Sequence, residues 1–125
     1  WSRVVTDSTP FSFSVPPATY SQIQLYALST EGQTTATILV TYADNTTNGA
    51  GTTVTIADWF NDATGGQFAL TDGLDRIKDG TTFDDVKNPA IFGINVNPDT
   101  SKAVKQITIT NTGIGYLVFF GATAW

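Results

Sequence analysis

The side chains able to do chemistry are few, and their types narrow what that chemistry is. The chain contains no His, Cys or Met. Without His or Cys the Ser/His and Cys/His nucleophile systems are excluded, and the commonest zinc ligands are missing. What remains is carboxylate and aromatic chemistry. Glu31 is the only glutamate and stands in a turn sequence, Glu31-Gly32-Gln33. Asp58, Asp62, Asp72 and Asp75 offer carboxylates from which a glycosidase pair is drawn in principle. A small sandwich seldom provides the deep cleft that such chemistry needs. The expectation is therefore a protein that is not an enzyme.

Three clusters point to binding. Asp58-Trp59-Phe60 places a carboxylate beside two aromatic rings. A pyranose presents C–H bonds to a ring face, and an adjacent carboxylate accepts hydroxyl hydrogen bonds. The alternative is that Trp59 closes one end of the core where a strand meets a loop, the commoner fate of such a residue. Tyr116 and Trp125 are further candidate ligand-binding aromatics, and packing within the domain competes for each. Asp72 and Asp75 open an acidic stretch running to Asp85 that suits Ca²⁺, a hard cation taking oxygen ligands. The spacing does not match an EF-hand loop, and most acidic loops are simply solvated.

These residues need elements to position them, and the elements read as strands. Phe11 to Val15 alternates apolar and polar, with Pro16-Pro17 expected to end the run. Ile23, Leu25 and Ala27 share one face of a second run. Ala36, Ile38, Val40 and Tyr42 share one face of a long β-branched run from Thr34 to Asp44. The segment from Asp44 to Gly51 (DNTTNGAG) is turn chemistry, and Thr53 to Trp59 follows, so the two runs read as a hairpin. Gln67 to Thr71 is a short strand candidate, and Asp72 to Pro89 is the least regular region. Ala90 to Asn97, Ala103 to Asn111 and Tyr116 to Trp125 complete the series. Short strands about 8–12 residues apart, with no competing helical stripe, predict an all-β antiparallel sandwich of about eight or nine strands. At 125 residues the chain is one domain, 1–125, with residues 1–10 as an N-terminal arm or edge strand. Phe13, Ile38, Val40, Ile107, Ile109 and Phe119 are the expected core.

Composition bounds the partners. Charged residues are 14% of the chain, against roughly a quarter in an average soluble domain. Six Lys+Arg face eleven Asp+Glu, a net charge of -5, and the basic residues form no cluster. Nucleic acid and anionic membranes are therefore not expected partners. No apolar run reaches the length of a membrane helix. The first residue is not Met, as expected of a matured or excised chain. Asn45-Thr46-Thr47 matches the N-glycosylation tripeptide.

Across most of its length the chain resembles the galactose-binding-like jelly-roll modules appended to extracellular glycoside hydrolases and surface proteins. The resemblance is carried by Tyr20-Ser21-Gln22-Ile23-Gln24-Leu25, Val40-Thr41-Tyr42-Ala43-Asp44, Asp58-Trp59-Phe60, Asp99 to Ile109 and the closing run from Tyr116. The segment Asn48-Gly49-Ala50-Gly51 departs from it, since such modules keep a tighter turn there. The resemblance implies a jelly-roll topology, a secreted or cell-surface location, a polysaccharide or glycan partner, and a structural Ca²⁺. A second reading is a building block of an extracellular filament, sheath or surface layer, whose partners are copies of itself joined through β-strand contacts.

Overall fold

The computed structural model describes residues 3–5, 7–60, 68–71, 76–84 and 89–125. Its strands run in chain order as β1 (Arg3–Val5), β2 (Phe11–Ala18), β3 (Ile23–Thr30), β4 (Thr34–Tyr42), β5 (Thr52–Ile56), β6 (Phe68–Thr71), β7 (Arg76–Lys78), β8 (Thr82–Asp84), β9 (Ile91–Val96), β10 (Val104–Asn111) and β11 (Tyr116–Ala124). Among the described residues there is no helix. One sheet has the order β1-β11-β3-β9-β6, the other β2-β10-β4-β5, and β7-β8 form a separate hairpin. All these strand pairs are antiparallel. Set aside β6 and the β7-β8 hairpin, and two four-stranded sheets remain. Their order, β1-β11-β3-β9 against β2-β10-β4-β5, is that of an eight-stranded jelly roll.

Period-two burial builds the core. Along β4 the side chains of Thr34, Ala36, Ile38, Val40 and Tyr42 are buried and those between them half-buried. The inner faces meet in one cluster. Val5, Ile23, Leu25, Ala27, Ile94, Val96, Leu117 and Phe119 come from the five-stranded sheet. Phe11, Ile38, Val40, Ile56, Val104, Ile107 and Ile109 come from the other. Burying each large side chain is worth about 1.5–3 kcal/mol, so this cluster dominates the stability. A smaller cluster of Ala57, Ala90 and Phe92, with Leu28 against it, closes one end. The hairpin expected between Thr34 and Trp59 is present as β4-β5, with Ala36 opposite Val54.

Two features differ from the sequence reading, and a third decides between two alternatives it left open. Pro16-Pro17 does not end β2, which continues to Ala18. β2 is an edge strand, and its register against β10 shifts between Gln106 and Val104, so the prolines sit where ladder donors are not required. Within the first ten residues, Arg3–Val5 pairs with Leu117–Phe119 of the same chain, as an edge strand rather than an arm. The stretch from Asp72 to Pro89, read as irregular, contains the β7-β8 hairpin. The two four-stranded sheets give the eight strands expected, and the described residues add three short ones, β6, β7 and β8, outside that core.

One buried polar knot fastens the rim. Asn111, 2% exposed, donates through Nδ2 to the carbonyls of Val5 (3.2 Å) and Gly115 (2.8 Å). Its Oδ1 accepts from the Thr34 hydroxyl at 2.6 Å. A single amide thus ties β1, β4 and the β10–β11 turn together. Burial of such a group is tolerated because its partners are in place.

Candidate functional site

The residues expected to bind do not form one site. Asp58, Trp59 and Phe60 follow β5 at the end of the sandwich where β3 finishes. Asp58 bridges in parallel to Ser29, and the Trp59 amide donates to the Ser29 carbonyl at 2.7 Å. Tyr116 pairs with Thr30 on the other flank of β3. It therefore lies at this same end, about 10 Å away across two strand spacings. Trp125 is at the opposite end. Its carbonyl accepts from the amides of Ser21 and Gln22 and from the Ser21 hydroxyl. The length of β3, about 23 Å, separates the two groups.

Asp58 spends its carboxylate on the fold. Oδ2 accepts from the Gly32 amide at 2.8 Å and Oδ1 from the Phe60 amide at 3.0 Å. The first bond clamps the Glu31-Gly32 turn, where both residues have positive φ, at 61° and 99°. The second is an Asx turn that directs the chain out of the sheet. Ser29, fully buried, donates through its hydroxyl to the Gly32 carbonyl at 2.6 Å, fastening the same turn from the other side. The Trp59 and Phe60 rings meet edge-on, with centroids 5.2 Å apart. Both rings are half-buried, as is Asp58. Capping of a strand end accounts for every contact described for Asp58.

The opposite end is built from two further Asx turns. Asp44 Oδ1 accepts from the Thr46 hydroxyl and amide, and Asp99 Oδ1 from those of Ser101. The Thr46 hydroxyl, then its amide, with Lys102 adding to them, hold the Asp44 carboxyl down to about 2. The Ser101 hydroxyl and amide, with Lys102 nearby, lower that of Asp99 as well. Lys102 sits 3.2 Å from Asp44 and 5.5 Å from the centre of the Tyr42 ring, whose hydroxyl accepts from the Asp99 amide. Asn45, the residue of the glycosylation tripeptide, is exposed, and its Oδ1 accepts from Lys105.

A concavity among the described residues involves none of the residues singled out as binding. It is a groove of about 450 Å³ on the flank of the sandwich, between β2 and the second half of β11. Among the described residues β1 pairs with β11 from Leu117 to Phe119, and β11 continues to Ala124. Phe13, Val15, Pro16 and Tyr20 form one wall, and Phe119, Ala122, Thr123 and Ala124 the other. Phe13 and Phe119 stack with centroids 5.3 Å apart. The Tyr20 hydroxyl donates to the Pro16 carbonyl at 2.7 Å, which fixes that ring at the mouth. The residues lining it include no carboxylate, amine or guanidinium.

Phe13 and Phe119 read as core from the sequence, and Phe119 is buried. Their meeting at the groove depends on the placing of β2 and β11, strands distant in sequence, which no local pattern announces. The expected calcium ligands Asp72 and Asp75 lie outside the described residues, as does Asp62. Among the described residues no group of three or more His, Cys, Asp or Glu side chains comes together. No model of a known protein family matches the chain, and no curated protein matches it either.

Proposed function

We propose that the chain is a non-catalytic carbohydrate-binding module acting outside the cell, and that it takes a neutral sugar in the flank groove. The groove carries this reading. Its volume falls within the range of about 300–1,000 Å³ typical of ligand sites. Its walls offer aromatic faces for sugar C–H bonds, with the Tyr20 hydroxyl at the mouth. A neutral lining favours a neutral ligand, because a buried charge would find no counter-ion. A binding role rather than a hydrolytic one is supported by the chemistry at hand. The chain has no His or Cys, and Asp44, Asp58 and Asp99 are engaged by amides of their own turns. The resemblance to modules of secreted hydrolases agrees with it.

The test is affinity electrophoresis through gels containing neutral polysaccharides, with Ala122→Leu as the comparison. Ala122 is exposed and lines the groove, so the larger side chain fills the site without entering the core. Retardation of the wild type and its loss in Ala122→Leu, at an unchanged melting temperature, is the expected result. Failure of the wild type to be retarded by any neutral polysaccharide overturns the proposal.

A second reading, a subunit of an extracellular assembly, is favoured by one observation. Val4, Tyr116 and Phe120 on β1 and β11 are 56%, 41% and 36% exposed. This apolar patch suits contact with another copy. Sedimentation at high concentration separates the readings: a monomer throughout argues against assembly.

A further inference from the structure

On its β5 side the ladder of β4 stops at Ile38, which lies opposite Thr52. Val40, two residues further on, takes its partner there from the β4–β5 loop. The Asn48 main-chain amide donates to the Val40 carbonyl at 3.1 Å, and the Val40 amide donates to Asn48 Oδ1 at 2.9 Å. Nδ2 of the same side chain donates to the Ile38 carbonyl and the Thr52 hydroxyl, each at 3.4 Å. One half-buried asparagine therefore stands in for a strand residue, with main chain and side chain both turned to β4. Gly49 follows it, exposed and at φ 74°, with open space where a Cβ would stand. Of the seven asparagines in the chain, Asn48 is the one followed by glycine.

We propose that Asn48 is a deamidation site that its contacts with β4 hold closed. The Gly49 amide nitrogen gives its proton to hydroxide and attacks Asn48 Cγ. The new N–Cγ bond closes a five-membered imide. The Cγ–Nδ2 bond breaks, and Nδ2 takes a proton from water and leaves as ammonia. Water then opens one of the two carbonyl–nitrogen bonds of the ring, giving an aspartyl or an isoaspartyl residue. Water is the co-reactant, and nothing is oxidised or reduced. Glycine favours ring closure because no Cβ shields its nitrogen and its backbone turns freely. In the folded hairpin the side chain is committed elsewhere. Before Cγ can face the Gly49 nitrogen, the bond from the Val40 amide to Oδ1 and the contacts of Nδ2 must break. A loop at the end of a hairpin opens at lower cost than the body of the sheet, so the modification follows local opening.

The products do not fit the same place. An aspartate keeps an acceptor for the Val40 amide, loses both donor contacts of Nδ2, and sets a negative charge against the Ile38 carbonyl. An isoaspartate also lengthens the main chain by one carbon ahead of Gly51, where a Cβ would already stand 3.0 Å from the Ile38 carbonyl. Either one loosens the loop from the end of β4. No residue of this loop lines the flank groove, so the site stands apart from the sugar-binding reading.

The experiment is incubation of the full chain at mildly alkaline pH, folded and in denaturing urea, beside Thr52→Val. Peptide mass spectrometry reads the mass gain of amide-to-acid conversion, which sets deamidation apart from isomerisation at Asp-Gly pairs. In urea, Asn48 should convert ahead of the other asparagines. In the folded chain its rate should be lower by on the order of tenfold or more. Thr52→Val removes one contact of Nδ2 at an exposed position of an edge strand. It should convert faster than the wild type when folded and equally fast in urea. Conversion of Asn48 as fast in the folded chain as in urea overturns the proposal, as does precedence of another asparagine in urea. A folded-state rate unchanged by Thr52→Val overturns the gating by β4. Asn48→Asp stands for the product and should lose hydrogen-exchange protection at the Val40 amide. Protection equal to that of the wild type overturns the loosening.

Discussion

Replacing Asp58 by Ala separates a binding carboxylate from a structural one. The substitution removes two hydrogen bonds, from the Gly32 amide at 2.8 Å and the Phe60 amide at 3.0 Å. Hydrogen bonds to a charged acceptor are worth about 1.5–3 kcal/mol each when buried, and about 1 kcal/mol is reasonable where water can replace them. Asp58 is half-buried and Gly32 exposed, so the sum is about 2 kcal/mol. For a domain of this size that lowers the melting temperature by about 6–10 °C. Asp58→Asn keeps one acceptor oxygen of two and should recover about half of the loss, or ~1 kcal/mol. Differential scanning calorimetry gives the stability, and affinity electrophoresis gives the binding. The structural role predicts a lowered melting temperature with sugar retention unchanged below it. An unchanged melting temperature with retention abolished would falsify it and restore Asp58 to the ligand site.

Other substitutions report on the rim. Asn111→Ala strands the Thr34 hydroxyl and the Val5 and Gly115 carbonyls, and should cost about 3–4 kcal/mol by urea denaturation, with hydrogen exchange accelerated in β1. Gly115→Ala places a methyl against the Gly32 carbonyl and the Ser29 hydroxyl, and should cost about 2–3 kcal/mol. Gly121→Ala meets nothing within 4 Å and should change stability by less than about 0.5 kcal/mol in the same assay. Asp44 and Asp99 have depressed folded-state values. Their contribution is therefore present above their unfolded value of 3.8 and disappears as pH falls through the folded value, about 2 for Asp44. Melting temperature should drop across that window, and less steeply in the Asp44→Asn variant.

Wherever burial follows a local period, the sequence is enough. Ala36, Ile38, Val40 and Tyr42 alternate with threonines and leucine, and that alternation alone places them in the core and predicts the β4-β5 hairpin. Features resting on distant register were not legible. Three residues, Arg3 to Val5, carry too little pattern to reveal that they pair with Leu117–Phe119. The single-residue shift at Lys105 has no signature such as Gly, whereas the one at Phe120 is bounded by Gly121, and both break the alternation of their strands. Pro16-Pro17 misleads because proline forbids a central strand but not a shifted edge. Asn111 reads as a strand end and is instead a buried joint, since its partners come from three separate segments. The candidate site divides in the same way. Asp58-Trp59-Phe60 is conspicuous as a motif, and its carboxylate accepts from the Gly32 and Phe60 amides. The groove lies between strands distant in sequence and has no motif.

The placing of the C-terminal strand between β1 and β3 fixes when the five-stranded sheet can close. A chain that emerges from its N-terminus, whether from a ribosome or through a pore, presents β3 long before the strand that will flank it. Until the last ten residues are free, β1 has no neighbour to bind and β3 keeps an open edge. Loop closure across nearly the whole chain is slow. The four-stranded sheet also lacks β10 until late, so neither half is complete on its own. The domain is thus built to commit at the end of its own delivery. A nascent chain held just short of Tyr116 should remain a substrate for chaperones and proteases.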